Sequence, residues 1–256
     1  MLVSDDCPAP PACLADWFAS PLGQYVARRE QAFFDRAVAD VFGYYAVQLE
    51  LPGLDLLRAN RMPTRLSAGL GDGCRLNCDP AQLPFPAASI DLLVLPHTLD
   101  FHADPREVLR EAERVLVPEG RLMLAGFNPW SLWGAARLVK RRRGLPWSGQ
   151  FLGLPRVRDW LALLGFEPAG GRVHCYAPPF ASTGWLERCA FMERAGDRWW
   201  PVGGGVYCLE AVKRVRGMRL IAPAWKTRRR VGRPVAVALP DRRGEHAERR
   251  ELPVEP

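Results

Sequence analysis

Polar side chains that can do chemistry end three short apolar segments of this chain. Glu50 closes the run VQLE, Asp79 ends RLNCD, and His97 follows IDLLVLP. A carboxylate at a strand end can bind a cation, and a histidine can take up a proton. Each residue also has a structural interpretation. Asp79 precedes Pro80, which is typical of a turn, and a histidine just past a strand more often packs or caps than acts as a base.

The elements that position these residues alternate between strand and helix patterns. Strands are predicted over residues 44–51, 75–79, 90–96, 121–127, 172–176 and 206–212, and Ile90 to Pro96 is apolar enough to be buried on both faces of a sheet. Pro52 and Gly53 form a turn after the first strand. The alternation predicts an α/β fold with a doubly wound parallel sheet.

One helix has clear local signals. Asp104 can cap a helix that starts at Pro105, Glu107 stands three residues after the cap, and Pro118-Glu119-Gly120 is predicted to end it. A second helix is predicted from Pro155 to Leu164. Residues 14–42 form an amphipathic N-terminal helix with Gly43 as its stop, and residues 177–200 fit no pattern and can be a lid or an insertion.

Charge divides the chain unevenly. The net charge is +7, and the segment from Lys213 to the end holds 13 Lys or Arg against 5 Asp or Glu. We predict an N-terminal segment at 1–43, a folded domain at 44–215 and a basic, mostly unfolded tail at 216–256. The tail and the cluster Lys140 to Arg143 can contact nucleic acid or another polyanion, or can simply be solvated charge.

The sequence lacks the motifs of several classes of enzyme. There is no G-x-S-x-G, no G-x-x-x-x-G-K-[ST] and no intact G-x-G-x-x-G, which argues against serine hydrolases, nucleotide hydrolases and nicotinamide enzymes. Seven cysteines form no C-x-x-C pair, so we expect reduced thiols and no metal site, at Cys74 and Cys78 included. No apolar run approaches about 20 residues, so we expect a cytoplasmic protein without membrane contact.

Residues 78–129 resemble the second half of class I S-adenosylmethionine-dependent methyltransferases of the type 11 group. The resemblance rests on the LPF tripeptide at 83–85, the strand SIDLLV at 89–94 and the helix end VLVPEG at 115–120, in order and at matching spacing. It implies a doubly wound, mostly parallel seven-stranded sheet with helices on both faces, and S-adenosylmethionine as the cofactor. It also implies that Asp79 accepts a hydrogen bond from the adenine amino group, that Gln82 and Leu83 line the adenine pocket, and that Pro96 and His97 lie beside cofactor and substrate.

The glycine loop of that family departs from its pattern in this chain. The family's L-D-L-G-C-G-T-G resembles Val47 to Leu54, but Glu50, Pro52 and Leu54 stand where the glycines would be, Gln48 replaces the acid, and Gly53 is one position off. Residues 62–68 offer no acid for the ribose hydroxyls. If Gln48, Glu50 and Gly53 still form the cofactor loop, the Glu50 carboxylate can meet the cofactor's ammonium group.

Two functions remain open from the sequence. The first is a methyltransferase acting on an unidentified acceptor, with no catalytic residue assigned because methyl transfer depends mainly on orientation and desolvation. The second is a catalytically inactive methyltransferase-like module that binds or scaffolds, contacting RNA or an acidic partner through the basic tail.

Overall fold

A computed structural model describes residues 13–70, 73–139, 144–179, 183–189 and 191–215. The chain divides into two units, Met1–Gly217 and Met218–Pro256, and the second lies outside the described residues. The basic tail at 216–256 and the cluster Lys140 to Arg143 therefore stay predictions from the sequence.

A single seven-stranded sheet forms the centre of the first unit, in the order β3-β2-β1-β4-β5-β7-β6. β7 runs antiparallel to both neighbours, and the other pairs are parallel. This confirms the predicted doubly wound, mostly parallel α/β fold. The strands are β1 Tyr45–Leu49, β2 Thr64–Gly69, β3 Leu76–Asn77, β4 Ile90–Pro96, β5 Leu116–Phe127, β6 Phe166–His174 and β7 Val206–Lys213.

Helices cover both faces of the sheet. They are α1 Leu14–Ala19, α2 Pro21–Ala37, α3 Thr98–Phe101, α4 Pro105–Val115, α5 Leu132–Val139, α6 Leu154–Leu163, α7 Thr183–Arg188 and α8 Phe191–Trp199. Side chains of β4 alternate between the two faces: Leu93 and Leu95 pack with α4 and α6, whereas Leu92 and Val94 pack with α2. This alternation follows from the two-residue period of a strand and explains why β4 is apolar throughout.

The predicted N-terminal helix is in fact two helices. Ser20 ends α1 and caps α2, because its Oγ accepts a hydrogen bond from the backbone N–H of Gly23 at 3.1 Å and Pro21 takes the first helical position. The helix ends at Ala37, short of Gly43, and Asn60 then holds the following turn by donating to the carbonyls of Val38 and Val41. The prediction of one helix over 14–42 was therefore wrong in two respects: the helix is interrupted at Ser20, and it ends at Ala37.

Helix α4 starts as predicted but ends earlier. Asp104 Oδ1 accepts hydrogen bonds from the N–H groups of Arg106 and Glu107, at 2.9 and 3.3 Å. The helix ends at Val115, and Leu116 already pairs with Ile90 in the sheet. Pro118-Glu119-Gly120 therefore lies inside β5 instead of ending the helix. The chain is already extended from Leu116, because it pairs there with β4.

Three further segments differ from the prediction. β2 was not predicted, since TRLSAG lacks an apolar run. β6 begins at Phe166, directly after the helix, instead of at Arg172. Residues 183–188 and 191–199, which fitted no pattern, form α7 and α8.

Candidate functional site

A cavity of about 640 Å³ lies at the carboxyl ends of β1 and β4. Glu50, Leu51 and Pro52 line it from the turn after β1, and Pro96 and His97 line it from the end of β4. The described wall is completed by Cys13, by Leu14 and Ala15 of α1, and by Leu70, Pro80, Thr98, Phe101, His102 and Leu145. In an open α/β sheet, this edge is where ligands bind.

The turn after β1 has the backbone conformation that glycine usually provides. Glu50 has φ +62° and Leu51 has φ +47°, both in the left-handed region. A non-glycine residue there costs about 1 kcal/mol or more. The chain thus retains a glycine-type turn although its residues are Glu and Leu, and other contacts must hold it.

Gln48 holds this turn from below. Its Nε2 donates to the carbonyls of Glu50, Leu51 and Leu54 at 3.2, 3.0 and 2.8 Å, and its Oε1 accepts from the N–H of Leu56 at 3.0 Å. The side chain is buried. Gln48 was predicted as a cofactor contact, and the structure places it beneath the turn, where it positions the residues that line the cavity.

The Glu50 carboxylate lies at the carboxyl end of β2. Its Oε1 accepts from the N–H of Leu70 at 3.1 Å, and its own N–H donates to the carbonyl of Ala68 at 2.7 Å. Gly69 makes this possible, since a Cβ at residue 69 would lie 2.9 Å from Cδ and Oε1 of Glu50. A carboxylate from β1 therefore occupies the end of the neighbouring strand.

Asp79, which does not itself line the cavity, pairs with His102, which does. Asp79 Oδ1 accepts from the N–H of Ala81 at 2.8 Å and lies 3.1 Å from Nε2 of His102. The N–H of Ala81, followed by the hydrogen bond with His102, holds the pKa of Asp79 below its usual value. Asp79 is thus a turn residue before Pro80 and, at the same time, a carboxylate beside a cavity-lining histidine.

Three other predicted site residues lie away from the described cavity wall. Gly53 faces open space, since a Cβ there would meet no atom within 4 Å. Gln82 is exposed, and Leu83 is buried in the core beside α4, where its N–H donates to Oε1 of Glu111 at 2.7 Å. The structure therefore brings together Glu50, Pro96 and His97 but not these three.

His97 is fully buried between two carboxylates. Its Nε2 lies 2.7 Å from Oε1 of Glu30 and its Nδ1 lies 2.9 Å from Oδ2 of Asp100, and its ring stacks on Phe127 with centroids 4.2 Å apart. Burial lowers the pKa of His97, but the charge of Glu30 and the hydrogen bonds to both carboxylates outweigh it and raise the pKa to about 9. Burial raises the pKa of Asp100.

An imidazolium at neutral pH has no lone pair, so His97 cannot act there as a general base. It ties α2, which carries Glu30, to the end of β4. Asp100 also accepts from the N–H of Phe127 at 2.9 Å, which connects the same cluster to the end of β5. The cluster fixes three elements around the cavity.

Two members of this cluster, Glu30 and Asp100, were missed from the sequence. The sequence did contain a signal for the burial of Glu30, because Glu30 lies four residues from both Val26 and Phe34, which are on the buried face of α2. An acid at such a position needs a buried partner. Asp100 had no comparable signal, since α3 is only one turn long.

Comparisons with known proteins agree with this geometry. A family profile described as a methyltransferase domain, of the type 11 group, matches residues 39–124. This segment, about a third of the chain, is similar to a type 11 methyltransferase domain. The match covers β1 to β4 and most of β5, and it includes Glu50, Asp79 and His97.

One curated relative matches part of this chain. It is the uncharacterized protein YafS of Escherichia coli strain K12, 44% identical over 94 residues, which are 36% of this chain and 39% of the relative. The match thus spans well under half of the relative's length.

Solved structures share the fold at low identity. A SAM-dependent methyltransferase from Thermotoga maritima is 15% identical, covers 78% of this chain and 94% of its own, and has a TM-score of 0.54. Another from Archaeoglobus fulgidus is 15% identical, covers 73% and 94%, and has a TM-score of 0.51. Together with the sheet order, these matches show a class I methyltransferase fold.

Two kinds of feature are absent from the described residues. No group of three or more His, Cys, Asp or Glu side chains there could hold a metal ion. No helix in the same part of the chain has the length and apolar content that crossing a bilayer requires.

Proposed function

We propose that this chain is an S-adenosylmethionine-dependent methyltransferase and that it binds the cofactor in the cavity at the carboxyl ends of β1 and β4. The observation that carries this proposal is the turn after β1. Glu50, at a position where the family has glycine, and its neighbour Leu51 keep a left-handed backbone there, at a cost. A strained turn that other residues support is typical of a retained binding site.

The residues present fit the cofactor's chemistry. The volume of about 640 Å³ lies within the range of small-molecule sites. Glu50 offers a carboxylate to an ammonium or hydroxyl group, and Asp79 offers one to an amino group, with His102 beside it. Leu51, Phe101 and Leu145 supply apolar surface between these polar points. A carboxylate on the wall of an apolar cavity, with a second one beside a lining histidine, suits a ligand that carries more than one polar group.

The chemistry that S-adenosylmethionine supplies when bound is an electrophilic methyl group on a sulfonium. The protein's own part is to orient the cofactor and the acceptor and to exclude water from the cavity. Cys13 and the first two residues of α1, Leu14 and Ala15, line one side of the cavity, and Trp17 of the same helix packs edge-on against Phe127. His97 holds α2 to β4 and takes up no proton at neutral pH. We therefore expect that the acceptor atom already has a free lone pair when the acceptor binds.

A second candidate is the same fold without catalysis. Leu51 and Pro52 line the cavity where the family has smaller loop residues, and Pro52 offers no N–H to a ligand. Loss of three or four contacts of about 1 kcal/mol each would weaken binding about a hundred- to a thousandfold. The basic tail of this alternative lies outside the described residues.

Calorimetric titration of the full chain with S-adenosylmethionine, and separately with S-adenosylhomocysteine, tests the proposal. We expect saturable binding at micromolar concentration. The variant Asp35→Ala, on α2 and away from the cavity, is a control for nonspecific effects on the ligand titration. Absence of heat up to millimolar ligand would remove the methyltransferase proposal and leave the inactive module.

A further inference from the structure

The buried cluster of Glu30, His97 and Asp100 places charge beside the cofactor cavity. His97 lines the cavity, and its two ring nitrogens lie 2.7 Å from Oε1 of Glu30 and 2.9 Å from Oδ2 of Asp100. The three side chains are at most 1% exposed. Because little water screens a buried charge, its field extends further than that of a charge at the surface.

The net charge of this cluster follows from its two hydrogen bonds. Each of them joins a ring nitrogen to a carboxylate oxygen, so each needs one proton. A fully deprotonated ring and two carboxylates would carry three negative charges, and the two protons reduce the net charge to −1. This count is the same whether each proton lies nearer the ring or nearer the carboxylate.

The titratable groups described around the cluster do not neutralise it. Glu30 Oε2 and Asp100 Oδ1 are buried and have no hydrogen-bond partner among the described residues, so a third proton on either oxygen would have no acceptor. Arg29 precedes Glu30 in the sequence but pairs with Glu193 of α8 at 3.6 Å. Three further neighbours are uncharged at neutral pH, because burial raises the pKa of each well above its usual value: Cys175, Tyr207 and Cys208.

The described wall of the cavity also favours a cation. Lys and Arg are absent from its described residues, whereas Glu50 contributes a carboxylate. His102, the other lining histidine, pairs with the carboxylate of Asp79. A positive charge in the cavity is therefore attracted by Glu50 and by the buried cluster behind His97.

We propose that the cluster of Glu30, His97 and Asp100 makes this cavity selective for a sulfonium cation, so that it binds S-adenosylmethionine more tightly than S-adenosylhomocysteine. This inference rests on the proposed function of the same cavity. The two ligands share the adenosine, ammonium and carboxylate groups and differ by one methyl group and one positive charge at sulfur. The field of the cluster acts on that charge, and the attraction is lost in the product, which favours product release.

Calorimetric titration of the full chain with three ligands tests this selectivity. They are S-adenosylmethionine, S-adenosylhomocysteine and sinefungin, which carries a protonated amine in place of the sulfonium methyl group. We expect both cationic ligands to bind about tenfold more tightly than S-adenosylhomocysteine. Sinefungin separates the effect of the positive charge from that of the methyl group on sulfur.

A double variant assigns the selectivity to the cluster. Glu30→Gln combined with Asp100→Asn keeps the shape of both side chains and leaves a cluster that cannot carry a negative charge. We expect weaker binding of both cationic ligands and little change for S-adenosylhomocysteine, so that the ratio of the affinities falls to about one. A purely structural role of the cluster would instead weaken the binding of all three ligands alike. Asp35→Asn is the matched control on α2, since Asp35 pairs with Arg58, and it should keep the ratio of wild type.

Two results would overturn the selectivity and leave the proposed function intact. One is equal affinity of wild type for S-adenosylmethionine and S-adenosylhomocysteine. The other is an unchanged ratio in a double variant that circular dichroism shows to be folded, which would assign the selectivity to Glu50 or to other groups. If the double variant does not fold, the three affinities of wild type decide. Absence of binding of all three ligands to wild type would remove the proposed function and the selectivity together.

Discussion

Nε2 of His97 lies 2.7 Å from Oε1 of Glu30, and neither side chain is exposed to solvent. The pair joins α2 to the residue that follows β4. Asp100 completes the cluster from α3, at 2.9 Å from Nδ1 of the same ring. A buried charge cluster of this kind is costly to break from one side, because the remaining charges stay buried without a partner.

The stability of the protein should fall as the pH rises from about 6.5 to about 9. The pKa of His97 is near 6.5 in an unfolded chain and about 9 in the folded one, so the folded state binds this proton more tightly. Its contribution is fully present below pH 6.5 and is lost as the pH passes the folded value, a change of about 3 kcal/mol. Urea unfolding at pH 6 and at pH 9.5 measures the difference.

Glu30→Gln is the variant that checks the cause. It removes one carboxylate, lowers the pKa of His97 and should flatten the dependence on pH. His102→Gln is the matched control, because His102 is partly exposed and contacts Asp79 instead. An unchanged slope in Glu30→Gln would assign the dependence on pH to other groups.

The Glu50 carboxylate should contribute to cofactor affinity. Glu50→Gln keeps the shape of the side chain and removes its charge. We therefore expect the dissociation constant for S-adenosylmethionine to increase about tenfold, with little change in melting temperature. Glu119→Gln is the control, since Glu119 also has a positive φ, of +65°, but lies in β5 beside Arg214. Equal affinities for wild type and Glu50→Gln would place Glu50 outside the site.

Gly69→Ala should displace the Glu50 carboxylate. A Cβ at residue 69 would lie 2.9 Å from Cδ and Oε1 of Glu50, and φ there is +149°. We expect a loss of stability of about 1–2 kcal/mol and weaker cofactor binding. Gly53→Ala is the matched control, because a Cβ there meets nothing within 4 Å. Thermal unfolding measures the stability of each variant, and titration calorimetry measures its affinity for the cofactor. Equal stability and affinity of the two variants would contradict the argument that a Cβ at residue 69 crowds Glu50.

Asp79→Ala should weaken cofactor binding without unfolding the protein. The carboxylate is nearly half-exposed, so its removal costs little packing. We expect an affinity loss of about tenfold by calorimetry and an unchanged circular dichroism spectrum. His102→Ala should show a smaller loss in the same direction, since it removes a partner of Asp79 and not the carboxylate itself. Unchanged affinity in Asp79→Ala would remove Asp79 from the site.

The order of the elements could be predicted from the sequence because local signals fix it. Strand β4 has the bounds that its apolar run predicts, and Asp104 caps α4 as its side chain and the following proline indicate. β2 could not be predicted, because TRLSAG has the composition of a loop and becomes a strand only through pairing with β1. Its strand character therefore comes from tertiary structure.

The site was less predictable than the fold. Glu30 and His97 are 67 residues apart, and their contact depends on how α2 packs on the sheet. The left-handed φ of Glu50 also has no sequence signal, since Glu is not a residue that favours it. Contacts with Leu70 and the space left by Gly69 determine it, and both become visible only when β1 and β2 are placed side by side.

Gln48→Glu should destabilise the protein although it restores the acid that the family has at this position. The Nε2 of Gln48 donates to three backbone carbonyls of the turn, and a carboxylate would place negative charge against the same oxygens. We expect a decrease of about 2–3 kcal/mol in the free energy of unfolding and weaker cofactor binding, because the turn loses its support. Gln24→Glu, on the exposed side of α2, is the control and should change the stability by less than about 0.5 kcal/mol. If Gln48→Glu binds the cofactor more tightly than wild type, residue 48 contacts the ligand directly and the turn is held by other groups.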